Sequence, residues 1–187
     1  MHRSVTILTL LVIMTFRLTA IVNNPDISLD SCILIKGKSF QGTLFQENYE
    51  FDLSPDKSKK LIVKPLWYLT HLAEGPIKPW TPRIEKIKEI ELKIPELLRR
   101  YTTKDDYESE NLPEIIATID KYKRQYIGFK DFKDSEYLWI QFIYSESKMA
   151  QPDKSIIRIL GGGSSVFILT LDLRKWEIKE LIINGPI

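Results

Sequence analysis

Histidine, cysteine and surplus charge are what this sequence has least of. Two histidines and one cysteine among 187 residues are too few for the usual zinc sites, which draw on several such ligands. Cys32, the single cysteine, cannot close an intramolecular disulfide even in an oxidising compartment, and it reads as a small, partly buried apolar side chain. Nucleophilic catalysis by a serine or by Cys32 wants a base within hydrogen-bond reach, usually histidine. His71 is the only one beyond the N-terminal segment, and no Gly-x-Ser-x-Gly elbow occurs. There is no internal repeat and no low-complexity tract, which sets aside solenoids and disordered linkers.

The charge is close to balanced, with 27 Lys and Arg against 25 Asp and Glu, and its distribution matters more than its sum. Met1-His2-Arg3 precedes a mostly apolar run from Ser4 to Phe16, the anatomy of a signal peptide. A membrane-spanning helix needs about 20 apolar residues. Reaching that length here places Arg17 inside the span, at a cost of about 2.5–3.5 kcal/mol near the bilayer centre. The expectation is export to the periplasm or the medium, with residues 1–20 as a signal peptide cleaved after Ala20. Leu18 occupies a position that prefers a small side chain, so membrane attachment through an uncleaved segment 4–22 is the alternative. Loss of residues 1–20 removes Arg3 and Arg17 and leaves 25 basic against 25 acidic residues. A neutral domain is not built for a phosphate backbone, and nucleic acid is excluded as a partner.

Residues 21–187 are long enough for one domain with its own core. The part at about 21–77 is the least regular, with Cys32–Ile35 as a candidate strand and partial alternation from Thr43 to Leu53. Thr81-Pro82 supplies a helix start, and Ile84, Ile87, Ile90 or Glu91, Ile94, Leu98 and Tyr101 recur at helical spacing. A helix is predicted over about 82–101, kinked or broken near Lys93 because Pro95 removes a backbone bond. Asn111 is predicted to cap a second helix, about 112–122, with Leu112, Ile115, Ile116 and Ile119 as its apolar stripe. From about 125 to 184 the pattern becomes extended. Glu136 to Tyr144 is apolar on both faces and belongs in the middle of a sheet. Trp176, Ile178 and Ile182 are expected to line one face of a last strand. Short connections require antiparallel neighbours. The fold class is therefore α+β, an antiparallel β-meander of three to five strands in the C-terminal half with two helices packed on one face.

Several local features resemble a set of uncharacterised exported bacterial proteins of the kind found in Bacteroidota. They are Lys78-Pro79-Trp80-Thr81-Pro82 before a helix, Tyr122-Lys123-Arg124-Gln125-Tyr126-Ile127-Gly128-Phe129, Leu138-Trp139-Ile140, and a Gly-Gly segment leading to a last hairpin that ends Ile183-Asn184-Gly185, together spanning about 78–185. The resemblance implies export and the helices-then-meander order, and it carries no activity. The triple Gly161-Gly162-Gly163, where the resemblance implies an acidic residue before two glycines, and the ending Pro186-Ile187 depart from the pattern.

Chemistry-bearing motifs are few. Gly161-Gly162-Gly163-Ser164-Ser165 offers consecutive N–H groups to an anion, but it opens a strand, whereas a phosphate loop opens a helix after Gly-Lys-Ser/Thr. Its glycines read first as a turn needing positive φ. Asp131, Asp134 and Glu136 lack the spacing of a calcium loop and read as a solvated turn. Glu85, Glu89 and Glu91, interleaved with Lys86, Lys88 and Lys93, read as a salt-bridged outer helix face. Trp67, Tyr68 and Trp80 lie in Pro-rich, loop-like sequence, where rings more often close the open end of a core and, when exposed, grip peptides or sugars. The candidate binding residues are thus Trp67, Tyr68, Trp80, Gly161, Gly162 and Gly163, with no catalytic residue, metal or cofactor assigned. The functional expectation is an exported non-catalytic module that binds a protein, peptide or glycan in the envelope or outside the cell. A secreted hydrolase using carboxylates is the alternative, and a cystatin-like inhibitor is a further one, since Gln125-Tyr126-Ile127-Gly128 approximates Gln-x-Val-x-Gly.

Overall fold

A computed structural model describes residues 32–49, 51–52, 62–63, 75–102, 106–146, 156 and 162–184. Strands β1 (Cys32–Lys36) and β2 (Gln41–Phe45) form a hairpin; β3 (Phe51–Asp52) and β4 (Ile62–Val63) form a separate two-stranded ladder; β5 (Lys78–Trp80) precedes helix α1 (Ile84–Arg100) and helix α2 (Asp106–Ala117). Then come β6 (Tyr122–Lys130), β7 (Glu136–Tyr144), β8 (Val166–Asp172) and β9 (Glu177–Ile183). The main sheet runs β1-β2-β6-β7-β8-β9, with β5 also paired to β6. The architecture is a sheet-dominated α+β fold.

The sheet has seven strands, more than the three to five expected. The extra ones are β1, which matches the candidate strand Cys32–Ile35, and β2 and β5, from stretches that read as irregular or as a helix approach. Their short lengths give weak local patterns, and their pairing with β6 is non-local. The β6–β9 meander is antiparallel throughout, while β2 lies parallel to β6, with Gln41 opposite Lys123 and Phe45 opposite Ile127. A parallel neighbour needs a long crossover, and both helices lie in it. Beyond Ile127 the same edge of β6 passes to β5, which pairs Trp80 with Gly128. The two segments are tied where they meet by the Glu47 backbone N–H, which donates to Thr81 Oγ1 at 2.9 Å.

That bond corrects the expected helix start. Thr81 serves β2, and α1 begins at Ile84 after Arg83, which makes no side-chain cap. Helix α1 also runs unbroken through Pro95. Its buried stripe of Ile87, Ile90, Glu91, Ile94, Leu97 and Leu98 holds both sides of the proline, each apolar side chain contributing roughly 1.5–3 kcal/mol by burial. Helix α2 starts six residues before the expected position, because Tyr107 packs on the core and Asn111 lies inside the helix, donating Nδ2 to the Tyr107 carbonyl at 2.7 Å. It stops at Ala117, where Thr118 leaves helical geometry and returns its hydroxyl to the Glu114 carbonyl at 2.9 Å. A 3-10 turn, Ile119–Lys121, then leads into β6 three residues earlier than expected. Tyr122 starts the strand because its ring packs edge-on against Phe142, Tyr144 and Phe167.

The helices cover one face of the sheet, where Leu44, Tyr126, Leu138, Ile140, Phe142 and Leu169 meet the α1 stripe. The second face carries Phe45, Tyr49, Ile127, Phe129, Tyr137 and Trp139. Strands β6 and β7 are thus buried on both faces, as the apolar run 136–144 predicts. Strand β9 departs from expectation: a register shift sets Glu180 opposite Thr170 but Ile178 opposite Leu171. The extra residue, Lys179, reverses the alternation. Trp176, Ile178, Leu181 and Ile183 therefore face the helices, and Ile182 is turned out at 39% exposure. Trp176, held at φ 56°, docks on α1 beneath Lys86 and Lys93, whose Nζ atoms lie 4.4 and 3.6 Å from a ring centroid. Glu89 bridges both lysines at 3.0 Å, which lowers its carboxyl below the usual range.

The close approach of β5 to β6 depends on Gly128, where a Cβ would lie well inside van der Waals contact of the Trp80 carbonyl oxygen and 2.6 Å from Pro82 Cδ. Gly128→Ala is expected to destabilise the fold by about 1–3 kcal/mol, read as a lowered urea midpoint. A midpoint unchanged from wild type contradicts the β5–β6 pairing.

Candidate functional site

Among the described residues, two of the places that gather polar side chains from distant parts of the chain could bear a function. The first is buried. Arg124 and Tyr126 sit two residues apart on β6 and so share one face, the face under α1. The Tyr126 hydroxyl donates to Glu91 Oε1 at 2.7 Å, and Arg124 Nη2 lies 3.4 Å from Glu91 Oε2. Arg124 Nη1 donates to the Tyr122 carbonyl, its guanidinium lies 5.3 Å from the Phe142 ring centroid, and its Nε has no hydrogen-bond partner among the described residues. The Arg124 and Glu91 side chains are 2% and 4% exposed. Burial pushes the Glu91 carboxyl up against the opposing pull of Arg124 and Tyr126, and burial beside Glu91 raises the Tyr126 hydroxyl strongly.

Glu91 therefore does not belong to the salt-bridged outer face expected of it; it occupies the inward stripe, and Glu89 alone of the three makes the outer ion pairs described. A carboxyl with a raised pKa is what acid catalysis asks for. Here both oxygens are engaged and the group is sealed from solvent, so the cluster ties α1 to β6.

The second place is open. The β1–β2 turn, the 3-10 turn before β6 and the end of β7 surround a recess of about 320 Å³ lined by Lys36, Lys38, Ser39, Gln41, Lys121 and Ser145, with Asp120 as its one carboxylate. A second hollow of about 230 Å³ shares Lys36 and Gln41 and adds Lys123. Lys36, Gln41 and Lys123 stand opposite one another across β1, β2 and β6, so their side chains share a face and the outer Cα atoms are about 10 Å apart, two strand spacings. Lys36, Lys38 and Lys121 are exposed and Lys123 is half-buried. Elsewhere Lys78, Lys86, Lys93 and Lys130 pair with Asp134, Glu89 and Glu136, Glu89 being shared by two of them. Lys36, Lys38, Lys121 and Lys123, like the scattered Lys88, Lys175 and Lys179, make no ion pair among the described residues. Tyr122 connects the recess to the glycine turn, since its ring lines the hollow and its hydroxyl donates to the Ser164 carbonyl at 2.9 Å.

The residues singled out from the sequence are not brought together. Trp67, Tyr68 and Gly161 lie outside the described residues, as do His71 and segment 4–22. Trp80 is half-buried in β5, with Lys130 Nζ 5.1 Å from its ring centroid. Gly162 and Gly163 have φ of 99° and 58° and form the turn entering β8, which is the conformational use expected of them. Trp80 faces the Gly128 end of β6 and the glycine turn the Tyr122 end, roughly 20 Å apart along the strand. Asp131, Asp134 and Glu136 have separate partners: Asp131 Oδ1 accepts the N–H groups of Lys133 and Ser135 at 2.8 and 2.9 Å, Asp134 pairs with Lys78, and Glu136 pairs with Lys130. Burial pushes the Asp131 carboxyl up, but its hydrogen bonds outweigh this and leave it lowered. No group of three His, Cys, Asp or Glu is placed to hold a metal among the described residues.

The lysine recess is not legible in the sequence, because Lys36-Gly37-Lys38 and Lys121-Tyr122-Lys123 are about 85 positions apart along the chain and each alone reads as a solvated turn. Only the parallel β2–β6 register joins them. No protein-family description, curated protein or solved structure matches the chain.

The buried pair makes a direct prediction. Arg124→Met or Glu91→Leu alone is expected to cost about 3–5 kcal/mol by stranding a buried partner, while the double variant recovers most of that loss; equal, additive losses in urea unfolding contradict the coupling. The pH dependence has a definite sign, since Glu91 keeps its proton to higher pH when folded than when unfolded. Its contribution is complete below the ordinary glutamate range and is lost as pH rises through the raised value. Relative to Glu91→Gln, wild type should therefore lose stability between acid and neutral pH, and a difference that stays flat contradicts the raised carboxyl.

Proposed function

We propose that this chain is an exported, non-catalytic binding module whose ligand, a protein, peptide or glycan of the cell envelope or its surroundings, docks on the lysine-lined recess. The observation that carries the reading is the gathering of Lys36, Lys38, Lys121 and Lys123, which make no ion pair among the described residues, around two adjoining hollows, supplied by segments that only the finished sheet brings together. A rigid sheet end presenting converging polar groups is the usual form of a recognition site. Keeping like charges adjacent costs folding energy, and a ligand of opposite sign offsets that cost.

Export is supported by the apolar run after Arg3. No helix among the described residues is long and apolar enough to cross a membrane. The periplasm or the medium is the proposed location, with attachment through residues 4–22 as the alternative. The inhibitor alternative has little support, since Gln125-Tyr126-Ile127-Gly128 is buried inside β6 and cannot enter a protease cleft from there. The carboxylate-hydrolase alternative would draw on Glu91, whose oxygens Tyr126 and Arg124 occupy.

Hydrogen–deuterium exchange tests the docking site. Incubation of the full chain with the polysaccharide or the protein fraction of a bacterial envelope is expected to slow exchange at 36–41 and 119–123 with one of the two. Slowing confined to other segments, or none with either fraction, overturns the reading. Residues 1–22 fused to a reporter active only outside the cytoplasm are expected to give signal, and a silent fusion contradicts export.

A further inference from the structure

We infer that the recess takes an acidic glycan, a polysaccharide chain bearing carboxylate or sulfate groups; this names the ligand class for the binding reading above and rests on it. The positive groups are dispersed. Lys36 and Lys123 lie two strands apart in one cross-strand row, with Lys38 and Lys121 bordering the adjoining hollow. A single small anion contacts part of such an array, whereas a chain carrying repeated charges meets all of it. The donors are lysines, which act as point charges without the fork that fixes a phosphate bidentately. Between them stand Ser39, Gln41 and Ser145, neutral hydrogen-bonding groups suited to sugar hydroxyls.

The surroundings disfavour other polyanions. Single-stranded nucleic acid is held by stacking its bases on exposed aromatic rings. The rings at this recess are Phe40, half-buried against the core, and Tyr122, buried against Phe142 and Phe167. Attachment to a lipid surface requires a broad apolar face beside the cations. The exposed apolar side chain at the two hollows is Leu34, 61% exposed. One leucine does not make such a face, but it fits against the C–H face of a sugar ring.

The test titrates the full chain, by calorimetry, with an oligogalacturonate, a dextran of matched length, inorganic phosphate and phosphatidylglycerol vesicles. The oligogalacturonate is expected to bind and dextran not to. Affinity should fall between about 50 and 200 mM salt. Lys36→Ala combined with Lys123→Ala should weaken binding about tenfold and flatten the dependence of log affinity on log salt by about one unit per lysine. Lys88→Ala combined with Lys175→Ala, at exposed positions on α1 and in the β8–β9 turn, should bind as wild type, with circular dichroism confirming that both variants fold. Dextran binding as tightly as oligogalacturonate overturns the acidic class, and binding to phosphate or vesicles alone overturns the glycan. Oligogalacturonate binding that ignores the Lys36 and Lys123 substitutions overturns the site, leaving Lys36 only to blunt the exposed edge of β1. Failure of oligogalacturonate while an envelope fraction still protects 36–41 and 119–123 from exchange ends the glycan inference and leaves the binding reading standing. Failure of both ends both.

Discussion

One edge of strand β6 carries two partners, and most of the molecule follows from that pairing. Residues 123–127 bond β2 in parallel and residues 128–130 bond β5 in the opposite sense. The Glu47 N–H to Thr81 hydroxyl bond fixes the point of exchange, and Gly128 gives β5 room to approach. The parallel half draws the β1–β2 hairpin to the Tyr122 end of the sheet; the antiparallel half sets the entry of α1. Glu91 then fastens α1 onto the face of β6 through Tyr126 and Arg124. These contacts span large sequence separations, so their closure entropy has to be met by burial elsewhere. Strands β6 and β7 supply it, being buried on both faces.

Much of this was legible in the sequence. Glu136–Tyr144 matches the predicted span and occupies the predicted central place, the helix stripe of α1 is the one its spacing describes, and the turn before β8 uses positive φ at Gly162 and Gly163. What escaped is what local pattern does not encode. A two- or three-residue strand such as β5 has no period to detect. A bulge at Lys179 reverses the inward face of β9 without changing its composition. Asn111 and Thr81 have the chemistry of helix caps, yet each satisfies a different backbone group because tertiary packing outweighs a cap contribution of about 1 kcal/mol.

The two polar clusters show how charge is used inside and outside the same strand. Arg124 and Lys123 are neighbours in sequence and point to opposite faces. Arg124 is driven under the helix, where its charge is matched by Glu91 and a backbone carbonyl; Lys123 joins Lys36 in a row with no counter-ion among the described residues. The motif Lys121-Tyr122-Lys123-Arg124-Gln125-Tyr126 therefore performs three tasks at once: aromatic anchoring by Tyr122, a buried ionic tie by Arg124 and Tyr126, and presentation of positive charge by Lys121 and Lys123. Composition showed a balanced chain, and the sheet turns that balance into a local excess.

The central claim is that this sheet end, built by the parallel β2–β6 register, is the recognition surface. Amine-reactive footprinting read by mass spectrometry measures it residue by residue. With oligogalacturonate present, Lys36, Lys38, Lys121 and Lys123 should lose reactivity together while Lys88 and Lys175 keep theirs. Reactivity that falls evenly across all six, or that persists at the recess, contradicts the account.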